Sequence, residues 1–226
     1  MLERMALVVL AMSGEGPGSG VAEVLALEQA GRDEAALALA EQLSVQPPYS
    51  ALPHLEAARL GLKLGRDTAV LQRHLASARE IAPDNPRVCY LAALVEEGQG
   101  DDARARVLYL EAVALRSSYG EARSRLVALG VRTRDWALAE QQLRALIAGG
   151  ERSVGRRLQL ARVEEDAGKL AEAEATLKAL HRAEPRNAVV TSALADFFTR
   201  QGRTQEALAL RREPAAKKRP LQPSRH

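Results

Sequence analysis

Gly31, Gly65, Gly100, Arg134, Gly168 and Gly202 punctuate this chain with gaps of 34, 35, 34, 34 and 34 residues. A period of that length, held through six copies, constrains the fold more than any single residue does. It calls for one small supersecondary unit repeated in a stack, each copy burying its apolar face against the next. Around every breakpoint an apolar run precedes a turn of two to four residues, an alanine-rich run follows, and a proline often closes the unit. Aromatic residues are only 3% of the chain, so alanine and leucine do the packing. That composition suits close helix pairs and suits strands poorly.

The clearest copy runs from Pro86 to Tyr119, with Gly100 at its position 15, Ala105 at 20, Tyr109 at 24 and Ala112 at 27. The copy from Val154 places Leu160 and Ala161 at 7 and 8, Gly168 at 15, Ala173 at 20 and Pro185 at 32. The last, from Ala188, places Leu194, Ala195 and Phe198 at 7, 8 and 11, then Gly202 and Ala207 at 15 and 20. This pattern resembles the tetratricopeptide repeat (TPR) family over Pro17 to Glu213. The resemblance implies an all-α fold, a right-handed superhelix or solenoid of about six antiparallel helix pairs. Small residues at 8 and 20 let two helix backbones approach, larger ones at 7, 11, 24 and 27 fill the gaps, and glycine at 15 takes a left-handed conformation. The chain then divides into a short apolar segment with a Gly-rich linker over 1–16, a repeat domain over 17–213 and a basic, proline-containing tail over 214–226, expected to be disordered.

Departures from the family pattern are specific. Position 4, often tryptophan in the family, holds Cys89, Arg123, Arg157 and Thr191 in the last four copies, and Arg134 replaces glycine two residues before Trp136. The second copy has one extra residue between Gly65 and Pro83. Either His74 or Leu75 then occupies the packing position, and a bulge or longer turn is expected. The first copy, from Pro17, keeps Gly31, Ala36 and Pro48 but has only short apolar residues, so it is expected to be the least stable.

Composition excludes several functions. Arginine outnumbers lysine 27 to five, a codon bias expected of a GC-rich, bacterial genome. Lys217, Lys218, Arg219 and Arg225 supply the excess of charge: the residues before 214 carry 28 basic against 29 acidic groups. The repeat body is therefore no nucleic-acid footprint. The single cysteine, Cys89, reads as a small buried residue on an apolar helix face. His54, His74, His181 and His226 are isolated in sequence, so no zinc site is expected. No phosphate loop, dinucleotide fingerprint or nucleophile elbow is present. Carboxylate pairs such as Glu96 with Glu97 and Glu164 with Glu165 read as solvated helix faces. These residues describe neither an enzyme nor a cofactor site, and no small-molecule substrate is expected.

The segment Met5 to Met12 has eight apolar residues, too few to span a bilayer, which takes about twenty. It reads either as a short capping helix on the first repeat, the favoured reading, or as a targeting segment. The first makes the chain cytoplasmic and the second periplasmic or envelope-associated.

The resemblance also implies a partner site. In the family, the first helix of each repeat lines a concave groove through positions 2, 5, 6, 9, 12 and 13. Carried onto this chain, those positions single out Leu52, Leu55, Arg59, Arg87, Tyr90, Leu91, Leu94, Glu121 and Arg125, apolar toward the N-terminal half. Later copies are polar, with Gln159, Arg162, Ser192 and Asp196. Position 9 holds Arg59, Leu94, Ala128, Arg162 and Asp196 with no asparagine, which does not support the family mode that grips a chaperone's C-terminal carboxylate. The expected function is a non-catalytic scaffold or adaptor for a partner's peptide or helix, with self-association left open. A bacterial envelope assembly factor, for a pilus or secretion apparatus, and an accessory or regulatory domain of an enzyme complex are the alternatives.

Overall fold

All six sequence breakpoints adopt the left-handed backbone conformation in the computed structural model, with φ from 58° at Arg134 to 82° at Gly100. The structure describes residues 17–47, 49–151 and 153–212. The apolar segment Met5 to Met12, Pro48 and the basic tail lie outside the described residues. Twelve helices are described: α1 Pro17–Gln29, α2 Asp33–Ser44, α3 Ala51–Lys63, α4 Thr68–Ile81, α5 Pro86–Gly98, α6 Asp102–Leu115, α7 Gly120–Thr133, α8 Trp136–Ala148, α9 Val154–Asp166, α10 Leu170–Ala183, α11 Ala188–Arg200 and α12 Thr204–Arg212. They form antiparallel pairs, and there is no strand among the described residues.

Each pair turns by the same device. A left-handed residue ends the first helix, and at the five glycine breakpoints the next residue returns its N–H to a carbonyl five residues back. Examples are Arg32 to Leu27 at 2.9 Å, Asp101 to Glu96 at 3.0 Å and Lys169 to Glu164 at 2.8 Å, which satisfies carbonyls that would otherwise lack partners. Second helices then start on Asp67, Asp101 and Asp135, whose side chains accept from backbone N–H groups at 2.8 to 3.0 Å. Ser50, Asn85, Ser153 and Asn187 cap first helices in the same way.

A Cβ at Gly100 would meet nothing within 4 Å, so the backbone alone resists a side chain there. Gly100→Val is expected to cost about 1–2 kcal/mol. Arg134 is exposed and is the one described non-glycine residue with positive φ. Arg134→Gly is therefore expected to gain roughly 1 kcal/mol. Urea denaturation of both variants checks the pair, and equal midpoints would contradict the register.

The contacts divide the chain into two compact units, 1–122 and 123–226. In the first, α1 and α2 pack on α3 through Val24, Ala36, Leu37, Ala40, Ala57 and Leu60. Helices α3, α4 and α5 close a second core around Leu55, Ala58, Leu71, Leu75, Val88 and Leu91. Helix α3 thus buries one face against each neighbouring pair, as a stack requires. In the second unit, Val127, Ala139, Leu143, Leu146, Leu160 and Val163 join α7, α8 and α9, with Trp136 packed partly buried at the edge. Ala161, Ala173, Leu177, Leu194, Phe197 and Phe198 join α9 to α12.

Position 8 holds Val24, Ala58, Ala93, Val127, Ala161 and Ala195, each at most 2% exposed. Position 20 holds alanine in five copies, equally buried. The second copy differs there, with Leu71 packed onto Gly61, where a Cβ would meet Leu71 Cδ2 at 2.5 Å. Its extra residue sits in the turn: α4 begins three residues after Gly65, whereas the other second helices begin two after their breakpoint. The longer turn is thus present, and Leu75, not His74, takes the packing position at 5% exposure. Cys89 is fully buried and free; burial pushes its thiol pKa up.

Candidate interaction face

On α3, Leu52, Glu56, Arg59 and Lys63 recur at helical spacing and form one stripe; Arg87, Tyr90 and Leu94 do so on α5, and Leu25 with Glu28 on α1. Ion pairs join these stripes across neighbouring first helices. Arg59 donates to both oxygens of Glu28 at 2.9 and 2.5 Å and through Nε to Glu56 at 2.8 Å. The other oxygen of Glu56 accepts from Arg87 at 2.6 Å. Lys63 reaches Glu28 at 3.1 Å and Asp33 at 2.8 Å. The Glu56 side chain is only 4% exposed, and two arginines compensate the desolvation of its charge.

The hydrogen bond from Arg59 holds the Glu28 carboxyl at about 2, with Lys63 assisting against the opposing effect of burial. Because this folded-state pKa is depressed, its contribution to stability is full above the unfolded value near 4.5 and is lost as pH falls toward 2.

Three of the four tyrosines meet beside this ladder. The Tyr90 ring lies 5.1 Å from that of Tyr119 and 5.9 Å from that of Tyr109. The Arg116 guanidinium stands 4.3 Å over Tyr119. Burial, with the Glu121 charge adding to it, pushes the Tyr119 phenol up to about 12. Tyr109 donates its hydroxyl to Glu97 at 2.6 Å.

The corresponding residues of the second unit are polar. Arg156 donates to Ser124 at 2.7 Å and Gln159 at 3.2 Å. Arg200 grips both oxygens of Glu165 at 2.7 and 2.8 Å. Arg162 pairs with Asp166, and Asp196 with Arg211.

No protein-family model matches the sequence, and no curated protein is similar enough to be matched. Solved structures do resemble the fold. A tetratricopeptide repeat protein from Parabacteroides merdae is 18% identical, over 86% of this chain and 77% of its own, with a TM-score of 0.61. This chain has a TPR-type fold. PilF of Pseudomonas aeruginosa is 15% identical over 85% of this chain and 87% of its own, TM-score 0.64. YrrB, a TPR protein with an unusual peptide-binding site, is 18% identical over 71% and 82%, TM-score 0.57.

Of the residues that the TPR resemblance nominates, the structure brings Leu52, Arg59, Arg87, Tyr90 and Leu94 onto linked stripes of the first unit. Leu52 is 45% exposed; Tyr90 and Leu94 are half-buried. Leu55 and Leu91 are corrected: at 0% and 2% exposure they are core residues, one helical position away from the exposed stripe. Glu121 is exposed in the same unit, and exposed Arg125 belongs to the other. Two residues were missed. Leu25, 42% exposed, occupies position 9 of the first copy and could have been read from the period. Glu164 was read as solvated yet is fully buried, accepting from Arg144 at 2.7 Å and Thr176 at 2.8 Å. Burial pushes its pKa up. Among the described residues, no group of three or more His, Cys, Asp or Glu is placed to hold a metal ion, and no helix is long and apolar enough to cross a membrane.

Proposed function

We propose that this chain is a non-catalytic protein-interaction scaffold, and that a partner's helix or extended peptide lies along the first helices of the 17–122 unit. One observation carries this reading. Leu25 and Leu52 are exposed, and Tyr90 and Leu94 half-buried, on stripes whose arginines are already paired with carboxylates of neighbouring helices. The ladder stiffens the face and removes its free charge. What remains for a partner is apolar and aromatic surface, the usual material of a binding hot spot. Leu52, Arg59, Arg87, Tyr90, Leu94 and Glu121 frame the proposed site. The peptide-binding site of YrrB, on the same fold, supports a peptide as occupant. Ordering a flexible peptide offsets much of the contact energy, so affinity on the order of micromolar is expected.

The test is capture of display-selected peptides by the chain and by a Leu25→Glu, Leu52→Glu variant. Both side chains are exposed, so circular dichroism and melting temperature should stay at parental values while capture falls at least tenfold. Capture that persists, or that is lost instead with Arg162→Glu and Asp196→Lys, contradicts the proposal.

A further inference from the structure

His54 on α3 and His74 on α4 are twenty residues apart in sequence, yet the pair of helices brings their Nδ1 atoms to 3.2 Å, with ring centroids 5.5 Å apart and planes at 51°. Both rings are half-buried, so each is held by its surroundings while remaining open to solvent. A hydrogen bond between two Nδ1 atoms requires one to carry a proton and the other to offer a lone pair. The same separation has a second use. A borderline divalent ion binds imidazole nitrogen at about 2.0–2.1 Å. Two such ligands stand roughly 2.9 Å apart at a right angle and roughly 3.4 Å apart at the tetrahedral angle, and the observed distance falls between.

We propose that His54 and His74 form a two-imidazole site for a divalent transition ion of the zinc class. Shifting the proton of the donor ring from Nδ1 to Nε2 leaves each Nδ1 with a lone pair to offer, with no net release of protons, and rotation of the two rings turns those lone pairs from each other toward the shared ion. The ligand spacing is already set by the packing of α3 on α4, where Leu71 sits against Gly61 and Leu75 is buried beside His74, so little reorganisation is needed. No third His, Cys, Asp or Glu completes the set among the described residues. Water fills the remaining positions, which makes the site exchangeable. Imidazole selects Zn2+, Ni2+ and Cu2+ over Mg2+ and Ca2+, which take oxygen ligands.

The test is titration of the chelator-stripped full chain with zinc chloride, followed by calorimetry and thermal melting. The expected result is one site per chain, absent for magnesium, lost in His54→Gln with His74→Gln and retained in His181→Gln. With free zinc a hundredfold above its Kd, the melting temperature should rise by about 5–10 °C. No zinc heat up to millimolar concentration, or unchanged stoichiometry in the double variant, overturns the proposal. Should the double variant fail to fold, X-ray absorption of the zinc-loaded parent decides: two imidazole nitrogens at about 2.0 Å are expected, and a shell without them overturns it.

Discussion

Tyr109→Ala is expected to lower the stability of the 17–122 unit by about 3–5 kcal/mol, the range for truncating a fully buried aromatic. The ring is 0% exposed, packs at a tilt against Tyr90 and fills position 24, where Ala40, Leu75, Leu143 and Leu177 stand in other copies and Arg211 in the last. Its hydroxyl is also spoken for, donating to Glu97 at 2.6 Å. Tyr109→Phe keeps the ring and removes only that bond, so it should cost about 1–2 kcal/mol, mostly the loss to a charged acceptor. Urea unfolding separates the two contributions. A cost under about 1 kcal/mol for the alanine variant would place the ring outside the core.

Gly130→Ala is the second large effect, and its sign is the informative part. In the interior of an exposed helix, alanine gains about 1 kcal/mol over glycine. Here the added Cβ would stand 2.9 Å from the backbone N of Ala139, 2.9 Å from the carbonyl O of Asp135 and 3.1 Å from the Ala139 Cβ. Two of those atoms are backbone and cannot rotate away, so α7 and α8 must separate. A net loss of about 1–3 kcal/mol is expected. Gly155→Ala is the control, because a Cβ there meets nothing within 4 Å; it should be neutral or gain up to about 1 kcal/mol. Thermal melts of the two variants moving in the same direction would contradict the close α7–α8 approach.

These two sites show what the sequence reveals and what it hides. The backbone period was legible because position 15 needs a left-handed residue and positions 8 and 20 need small ones, whatever the rest of the repeat does. Even Arg134, lacking glycine's freedom, obeys the register at φ 58°. Rotation about a helix axis was less legible. Leu55 and Glu56 are adjacent in sequence and so point about 100° apart, yet the family positions 5 and 6 assign both to the groove. In the folded chain both are buried, leucine in the core and glutamate under Arg59 and Arg87. The Arg59 contact is local, at i,i+3, but the Arg87–Glu56 pair, like the Arg59–Glu28 pair beside it, spans 31 residues, and no local signal announces those two. The histidine pair was hidden for a related reason. The extra turn residue after Gly65 shifts α4 by one position in register, which seats Leu75 in the core and leaves its neighbour His74 facing His54.

The central claim, that the first helices of the 17–122 unit hold a partner, is tested most directly by hydrogen exchange on the chain with and without a selected peptide. Added protection in α1, α3 and α5, centred on Leu25, Leu52 and Tyr90, is the predicted result. Protection confined to α9 and α11, around Gln159, Arg162 and Asp196, would contradict it.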